Sequence, residues 1–348
     1  MRFGKQVSTP TPITSNSADR VGVDTYSALR KISLRHSLYW KATDWKSFIP
    51  SNLFVLPSQD GVFLKTISLL SLVRGQNLAV LLVAQLLSAA FIFSPETSTV
   101  ETFLDINLWL IVLATVLSVA AGYIINAFFD QEKDLINRPQ KTLLEQNISE
   151  RSKLIGYFTF NGVALLVASS VSHRSALFFC AYIISMALYS GFLKRYLFIG
   201  NLFSATLSVL PFFAITVYFK NFTVEIFTLA SYLLLLISIK ELVKDLCNIR
   251  GDLSNNYKTI PTVYGEVQAK GLISVLVCFC FGIFLLLHFF YALHCMLYYF
   301  IASLVFLVIF TILLWRFSKT NQLIFLLFGI KALILLGIIC LPLLKIPI

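Results

Sequence analysis

Nine apolar stretches, each about 17–25 residues long and so able to cross a bilayer as a helix, follow one another from Phe63 to the C-terminal end. They are centred near Val83, Leu117, Leu165, Ile184, Leu207, Leu234, Phe281, Val305 and Leu335. In hydrocarbon the backbone must satisfy its own hydrogen bonds, so these stretches define an all-α, polytopic membrane protein of nine transmembrane helices. Of the 348 residues, 57% are hydrophobic and 13% charged, which excludes an ordinary soluble domain.

The formal charge of +11 would suggest nucleic acid in a soluble chain, but here it reports topology. An odd number of spans puts the termini on opposite sides and alternates the loops. Lys and Arg then divide 24 on the side of the N-terminus against Arg174, Lys220 and Lys345 on the other, with Lys331 inside the ninth stretch. The positive-inside rule places the N-terminus and the loops after the second, fourth, sixth and eighth spans in the cytoplasm, and the C-terminus opposite. A bacterial inner membrane is the expected location. Residues 1–65 differ in kind from residues 66–348: they are Ser/Thr-rich at first, basic, and without a spanning run or a secretory h-region. Tyr26 to Trp45 mixes Leu and aromatic residues with cations, as an interfacial helix or a transit peptide would; a poorly ordered tail is the plainer expectation. The six cysteines form no paired framework, and the four histidines, His36, His173, His288 and His294, lack metal-ligand spacing.

Two polar stretches interrupt this pattern. Asn126, Asp130 and Asp134 fall at i, i+4, i+8 and lie on one stripe if the second helix continues through them. Glu241, Asp245, Asn248 and Asp252 form a second stripe after the sixth span, with Lys240 and Lys244 beside it. Four crossings separate the two, so both return to the same membrane face. Each acid alone reads equally well as a solvated carboxylate or a helix-end ion pair. Two stripes with interleaved cations suit magnesium shared with a phosphorylated substrate, because magnesium prefers oxygen ligands divided between carboxylates and phosphate, and charge near hydrocarbon is costly to keep without a function.

The ordered motifs resemble the UbiA-type intramembrane prenyltransferases. The resemblance rests on Asn126-x3-Asp130-x3-Asp134 followed by Asn137-Arg138-Pro139, on Arg74-Gly-Gln-Asn77, and on Tyr189-Ser190 with Lys194-Arg195 and Gly200-Asn201. Lys258-Thr-Ile-Pro261 with Gly265 completes it. It covers roughly residues 66–345 and is specific as an ordered set. It implies nine helices around a central cavity under cytoplasmic-side cap loops, and magnesium-dependent transfer of a polyprenyl group from a prenyl diphosphate to a lipophilic acceptor within the bilayer. Asn126, Asp130 and Asp134 would serve one of two Mg2+ ions and Asp245, Asn248 and Asp252 the other, with Asp130, Asp134, Asp245 and Asp252 as the catalytic carboxylates. Arg74, Asn77, Arg138, Lys141, Tyr189, Lys194, Lys240 and Lys244 would bind substrate.

One departure stands out: Asn248 occupies a position where the family usually has Asp. An amide offers an oxygen but no negative charge, so weaker metal affinity at the second site, or a weakened enzyme, follows unless Asp245 substitutes. The style of the two motifs is nearest to the branch that alkylates geranylgeranylglyceryl phosphate, with aromatic quinone precursors as the other acceptor class. A secondary transporter is the rival from another class, but its site should lie near the bilayer midplane on broken helices, whereas these acids cluster at helix ends.

Overall fold

The computed structural model describes residues 61–94, 96–254 and 256–347, and the expected features of residues 1–60 lie outside them. Among the described residues there is no strand, and nine helices are long and apolar enough to span a bilayer. Every centre expected from the sequence falls inside one of them. The short α1 (Gly61–Leu72) leads into α2 (Gly75–Ser88), whose last turn continues as a π-helix over Ala89–Phe93, and then α3 (Thr99–Leu104). The second span is α4 (Ile106–Phe129), followed by the short α5 (Gln131–Asn137) and α6 (Pro139–Glu145). Next come α7 (Glu150–Val171), α8 (His173–Gly191), α9 (Ile199–Phe219) and α10 (Val224–Ser254). The short α11 (Ile260–Tyr264) precedes the last three spans, α12 (Glu266–Phe290), α13 (Met296–Arg316) and α14 (Thr320–Ile339).

Local chemistry fixes where these helices begin. Asp105, Ser149 and Ser172 each accept a backbone N–H in the first turn of α4, α7 and α8, satisfying donors the helix itself cannot. Small residues set the closest packing: Ala164 and Ala168 on α7 and Ala114 and Ala121 on α4 are fully buried, and small side chains let membrane helices approach closely. One apolar cluster joins α4, α7, α8 and α9, and a second joins α10, α12, α13 and α14. In the membrane interior Gln85 ties three spans together, its Nε2 donating to Thr115 Oγ1 at 3.0 Å and to the Pro211 carbonyl at 2.8 Å.

The short elements gather on one face. α5 and α6 follow the second span, a 3-10 turn over Leu193–Arg195 the fourth, and α11 the sixth, so alternation places them on the same side. Contacts join them: Ser71 of α1 donates to Glu145 of α6 at 3.3 Å, and the Lys258 N–H donates to the Arg195 carbonyl at 3.3 Å. At 31 residues, α10 is about 46 Å long, well beyond the roughly 30 Å of hydrocarbon, so its C-terminal third reaches into this cap. There Gly251 meets α5, and a Cβ at that position would lie 2.3 Å from Asn137 Nδ2. Gly251→Val should therefore lower the unfolding temperature in detergent, by about 1–3 kcal/mol of overpacking, and Asn137→Ala should recover part of the loss. An unchanged Tm in the single variant would refute this contact.

Candidate functional site

Between the two apolar clusters lies a cavity of about 1300 Å³, larger than the few hundred to 1,000 Å³ usual for one small ligand. Its first wall is the end of α4. The helix is interrupted at Asp130 (φ −99°, ψ 9°), a departure from the uninterrupted helix expected. The register nevertheless survives: Asp130 N–H donates to the Asn126 carbonyl at 2.9 Å and Asp134 N–H to the Asp130 carbonyl at 2.8 Å. Asn126, Asp130 and Asp134 thus all line the cavity.

Asp130 is buried and held by two partners. Lys194 Nζ stands 2.8 Å from Oδ1, and the Tyr257 hydroxyl donates to the same oxygen at 2.7 Å. Burial by itself would raise the Asp130 pKa, but the charges of Lys194 and Lys133 with these hydrogen bonds outweigh it and hold the carboxyl below its ordinary range. Burial in turn pulls the Lys194 ammonium down, against the attraction of Asp130, and burial with the adjacent carboxylate pushes the Tyr257 phenol up. Lys194 also reaches Asn126 Oδ1 at 3.4 Å. Its backbone lies so close to Gly200 that a Cβ there would sit 2.9 Å from the Lys194 carbonyl oxygen, which accounts for glycine at that position.

The second wall is α10. Asp245 is buried and accepts from Asn201 Nδ2 at 2.8 Å, Glu241 pairs with both Lys240 and Lys244, and Asn248 faces the cavity. Asp252 does not. It is fully buried behind this wall, with Lys133 Nζ 2.7 Å from Oδ1 and no hydrogen-bond partner on Oδ2 among the described residues. Lys133 itself lies over the Tyr257 ring, 4.3 Å from its centroid.

A cationic rim completes the cap end. Arg74 turns the chain between α1 and α2 in the left-handed region (φ 52°) and places its guanidinium 5.0 Å from the Tyr123 ring centroid; Asn77 reaches the Tyr123 hydroxyl at 3.5 Å. Burial and the neighbouring Arg74 charge pull Arg138 and Lys141 below their ordinary values, while Lys141 pairs with Glu145 at 2.9 Å. Tyr189, Lys240 and Lys244 also line the cavity.

Every site residue expected from the sequence therefore lines one cavity except Asp252. Tyr257 and Asn201 are the partners that sequence reasoning did not single out, because neither sits on a carboxylate stripe. Asn201 was visible only as part of a motif. Among the described residues no group of three or more His, Cys, Asp or Glu side chains is arranged to enclose a metal. Asn126, Asp130 and Asp134 on one wall and Asp245 and Asn248 on the other, with Glu241 beside them taken up by Lys240 and Lys244, fit magnesium in its usual manner, bound by one or two carboxylates and completed by substrate phosphate and water.

Residues 69–329 match the UbiA prenyltransferase family, to which the chain belongs. It is 35% identical to the digeranylgeranylglyceryl phosphate synthase of Thermococcus sibiricus over 171 residues, 48% of this chain and 59% of the relative. With that of Methanobrevibacter smithii it shares 30% over 185 residues, 51% and 65% of the two chains. The matches thus span less than two thirds of these relatives. A UbiA homolog from Archaeoglobus fulgidus bound to GPP and Mg2+ superposes with a TM-score of 0.61 at 16% identity, covering 79% of this chain and 99% of that one. A structure of digeranylgeranylglyceryl phosphate synthase gives 0.59 at 21%, covering 79% and 97%. These likenesses are of fold, and with the nine spans they make the chain an integral, multi-pass membrane protein.

The buried pair behind the second wall is directly testable. Lys133→Met leaves Asp252 buried without its cation, which should cost about 3–5 kcal/mol and lower the Tm measured without substrate or metal. Combining it with Asp252→Asn should restore most of that loss. Equal losses in the single and double variants would reject the pairing.

Proposed function

We propose that the protein transfers a polyprenyl group from a prenyl diphosphate to a lipophilic acceptor inside the bilayer. The observation that carries this reading is a single cavity with two carboxylate-bearing walls and a cationic rim at its cap end, and with apolar walls such as Leu81, Val119, Leu207 and Leu236 beyond them. A diphosphate on a long hydrocarbon chain has the same two-part character.

Asn126, Asp130 and Asp134 on one side, and Asp245 with Asn248 on the other, would hold two Mg2+ ions together with the diphosphate. Bound there, magnesium would neutralise charge on the leaving oxygens. Asp252 is assigned a different role from the ligand expected above: paired with Lys133, it holds α10 against α5. The allylic C–O bond breaks with its electron pair on the diphosphate, and Lys194, Lys240, Lys244, Arg138 and Lys141 stabilise the charge that develops. The apolar walls exclude water from the allylic cation until the acceptor's nucleophile forms the new bond to carbon, its proton passing to a basic oxygen of the site. Tyr189 borders this region and is our candidate for positioning the acceptor. Of the two acceptor classes, a glycerol phosphate lipid is favoured over an aromatic ring by what the relatives are called.

The cap face is proposed to be cytoplasmic, from the distribution of Lys and Arg across the loops. The named relatives are archaeal and lend no support to the bacterial source expected from the sequence.

Membranes containing the protein, incubated with labelled geranylgeranyl, farnesyl or longer diphosphates and a panel of acceptors, should release diphosphate only with magnesium. Asp130→Ala should reduce that release by about two to three orders of magnitude. Unchanged turnover in this variant, or solute flux without diphosphate chemistry, would overturn the enzymatic reading. Because Asp245 is the sole carboxylate expected to serve the second metal, Asn248→Asp should lower the magnesium concentration giving half-maximal rate. No change, or a rise, would show that the second site does not need that charge.

A further inference from the structure

The cavity is lined by eight Lys or Arg and only four Asp or Glu side chains. A diphosphate carrying two magnesium ions nearly neutralises itself, so the donor alone does not account for this surplus. Asp130 feels Lys194 and Lys133 and Asp134 lies within electrostatic reach of Arg138 and Lys141, whereas the groups that reach Lys331 are all cations: Arg138, Lys240, Arg74 and Lys244. Lys240 and Lys244 are already paired with Glu241. Arg74, Arg138 and Lys331 make no salt bridge among the described residues.

Lys331 is the unusual member. It lies within the last span, beyond the end of the family match at residue 329, where an ammonium without a carboxylate partner is costly unless it faces a polar cavity and meets an anion there. Its Nζ lies over the Phe328 ring, 5.3 Å from the centroid. Phe328 and Leu335, one turn to either side, line the cavity and leave 63% and 39% of their surface exposed. A single charged group at that point thus stands over apolar surface on both sides, the arrangement an amphiphile with an anionic head requires.

We infer that Lys331, with Arg74 lining the same cavity, binds the phosphate headgroup of a lipid acceptor at a place separate from the donor diphosphate. A phosphate monoester carries about −1.5 to −2 charges near neutral pH, matching several unpaired cations better than a carboxylate does. Lys331 is accordingly a specificity-determining residue of the prenyl transfer proposed above, and the inference rests on that reading.

The test uses the full chain in detergent and a dialkylglycerol phosphate, which has the headgroup but no free hydroxyl to react. Dialkylglycerol and glycerol phosphate serve as the tail-only and head-only arms. Lys331→Met should weaken binding of the dialkylglycerol phosphate by about tenfold or more, and Lys331→Arg should recover it. Affinity for neutral dialkylglycerol and for geranylgeranyl diphosphate should be unchanged. With a reactive monoalkylglycerol phosphate acceptor, the same loss should appear in KM and not in kcat. Glycerol phosphate binding as tightly as the lipid would replace the lipid headgroup with a free phosphate ligand and overturn the inference. So would weaker diphosphate binding in Lys331→Met, which would assign the residue to the donor, or a parallel loss with neutral dialkylglycerol, which would make its role structural. Wild-type protein that binds the phosphate lipid through Lys331 yet consumes no prenyl diphosphate would support this site and reject the transferase reading.

Discussion

Lys194 and Lys133 each neutralise a carboxylate buried where the helices leave the bilayer, and the cap is assembled around those two contacts. Asp130 ends the second span, Lys194 follows the fourth, and Tyr257, which hydrogen-bonds Asp130, follows the sixth. One buried charge therefore holds three separate loops in register. Asp252 and Lys133 repeat the arrangement between α10 and α5. Removing one partner of such a pair leaves a desolvated charge, which costs far more than the pair gains, so the cap elements are constrained together and not merely packed together.

The two pairs differ in what they leave open. Asp252 is buried away from the cavity, and its pairing with Lys133 joins α10 to α5. Asp130 faces the cavity, and Lys194 stands near both Asp130 and Asn126. On the proposed reading, an incoming metal diphosphate would exchange partners with this pair: the carboxylate would turn to the cation and the ammonium to the phosphate oxygens. Such an exchange conserves the number of compensated charges, so a buried site can accept a highly charged ligand without passing through an uncompensated state. Asp245, held by an amide from Asn201 and not by a lysine contact, has no cation to release in the same way.

Much of this was legible in the sequence. Nine apolar runs and the spacing of two acidic stripes located the spans, the cap face and the two carboxylate-bearing walls of the cavity, because helical periodicity places residues four apart on one side wherever the helix happens to be. Asp252 shows where periodicity stops being informative. It continues the stripe of Asp245 and Asn248, yet α10 at that point has passed from the cavity into contact with α5, and the close approach of Asn137 to Gly251 turns that surface inward. Tyr257 was invisible for the converse reason: it belongs to no helix, and only the folded cap brings it to Asp130.

The cavity's depth connects this cap chemistry to the membrane. Leu229 and Asn248 both line it from α10, and their separation corresponds to about 28 Å of helix, close to the hydrocarbon thickness. Apart from Lys331 in the last span, the charged groups lining it lie at the cap end. Deeper in, the polar groups are neutral and largely tied to protein: Gln85 to Thr115 and Pro211, and Tyr232 to Ser303. A ligand with one strongly anionic end has therefore a single low-energy orientation, head in the cap and tail toward the far leaflet. Its reactive carbon, next to the head, then lies at the boundary where compensating charge gives way to apolar wall. Bond breaking is favoured on the charged side of that boundary, and protection of a carbon cation from water on the other, so the position of the boundary along α4 and α10 determines where the chemistry can occur.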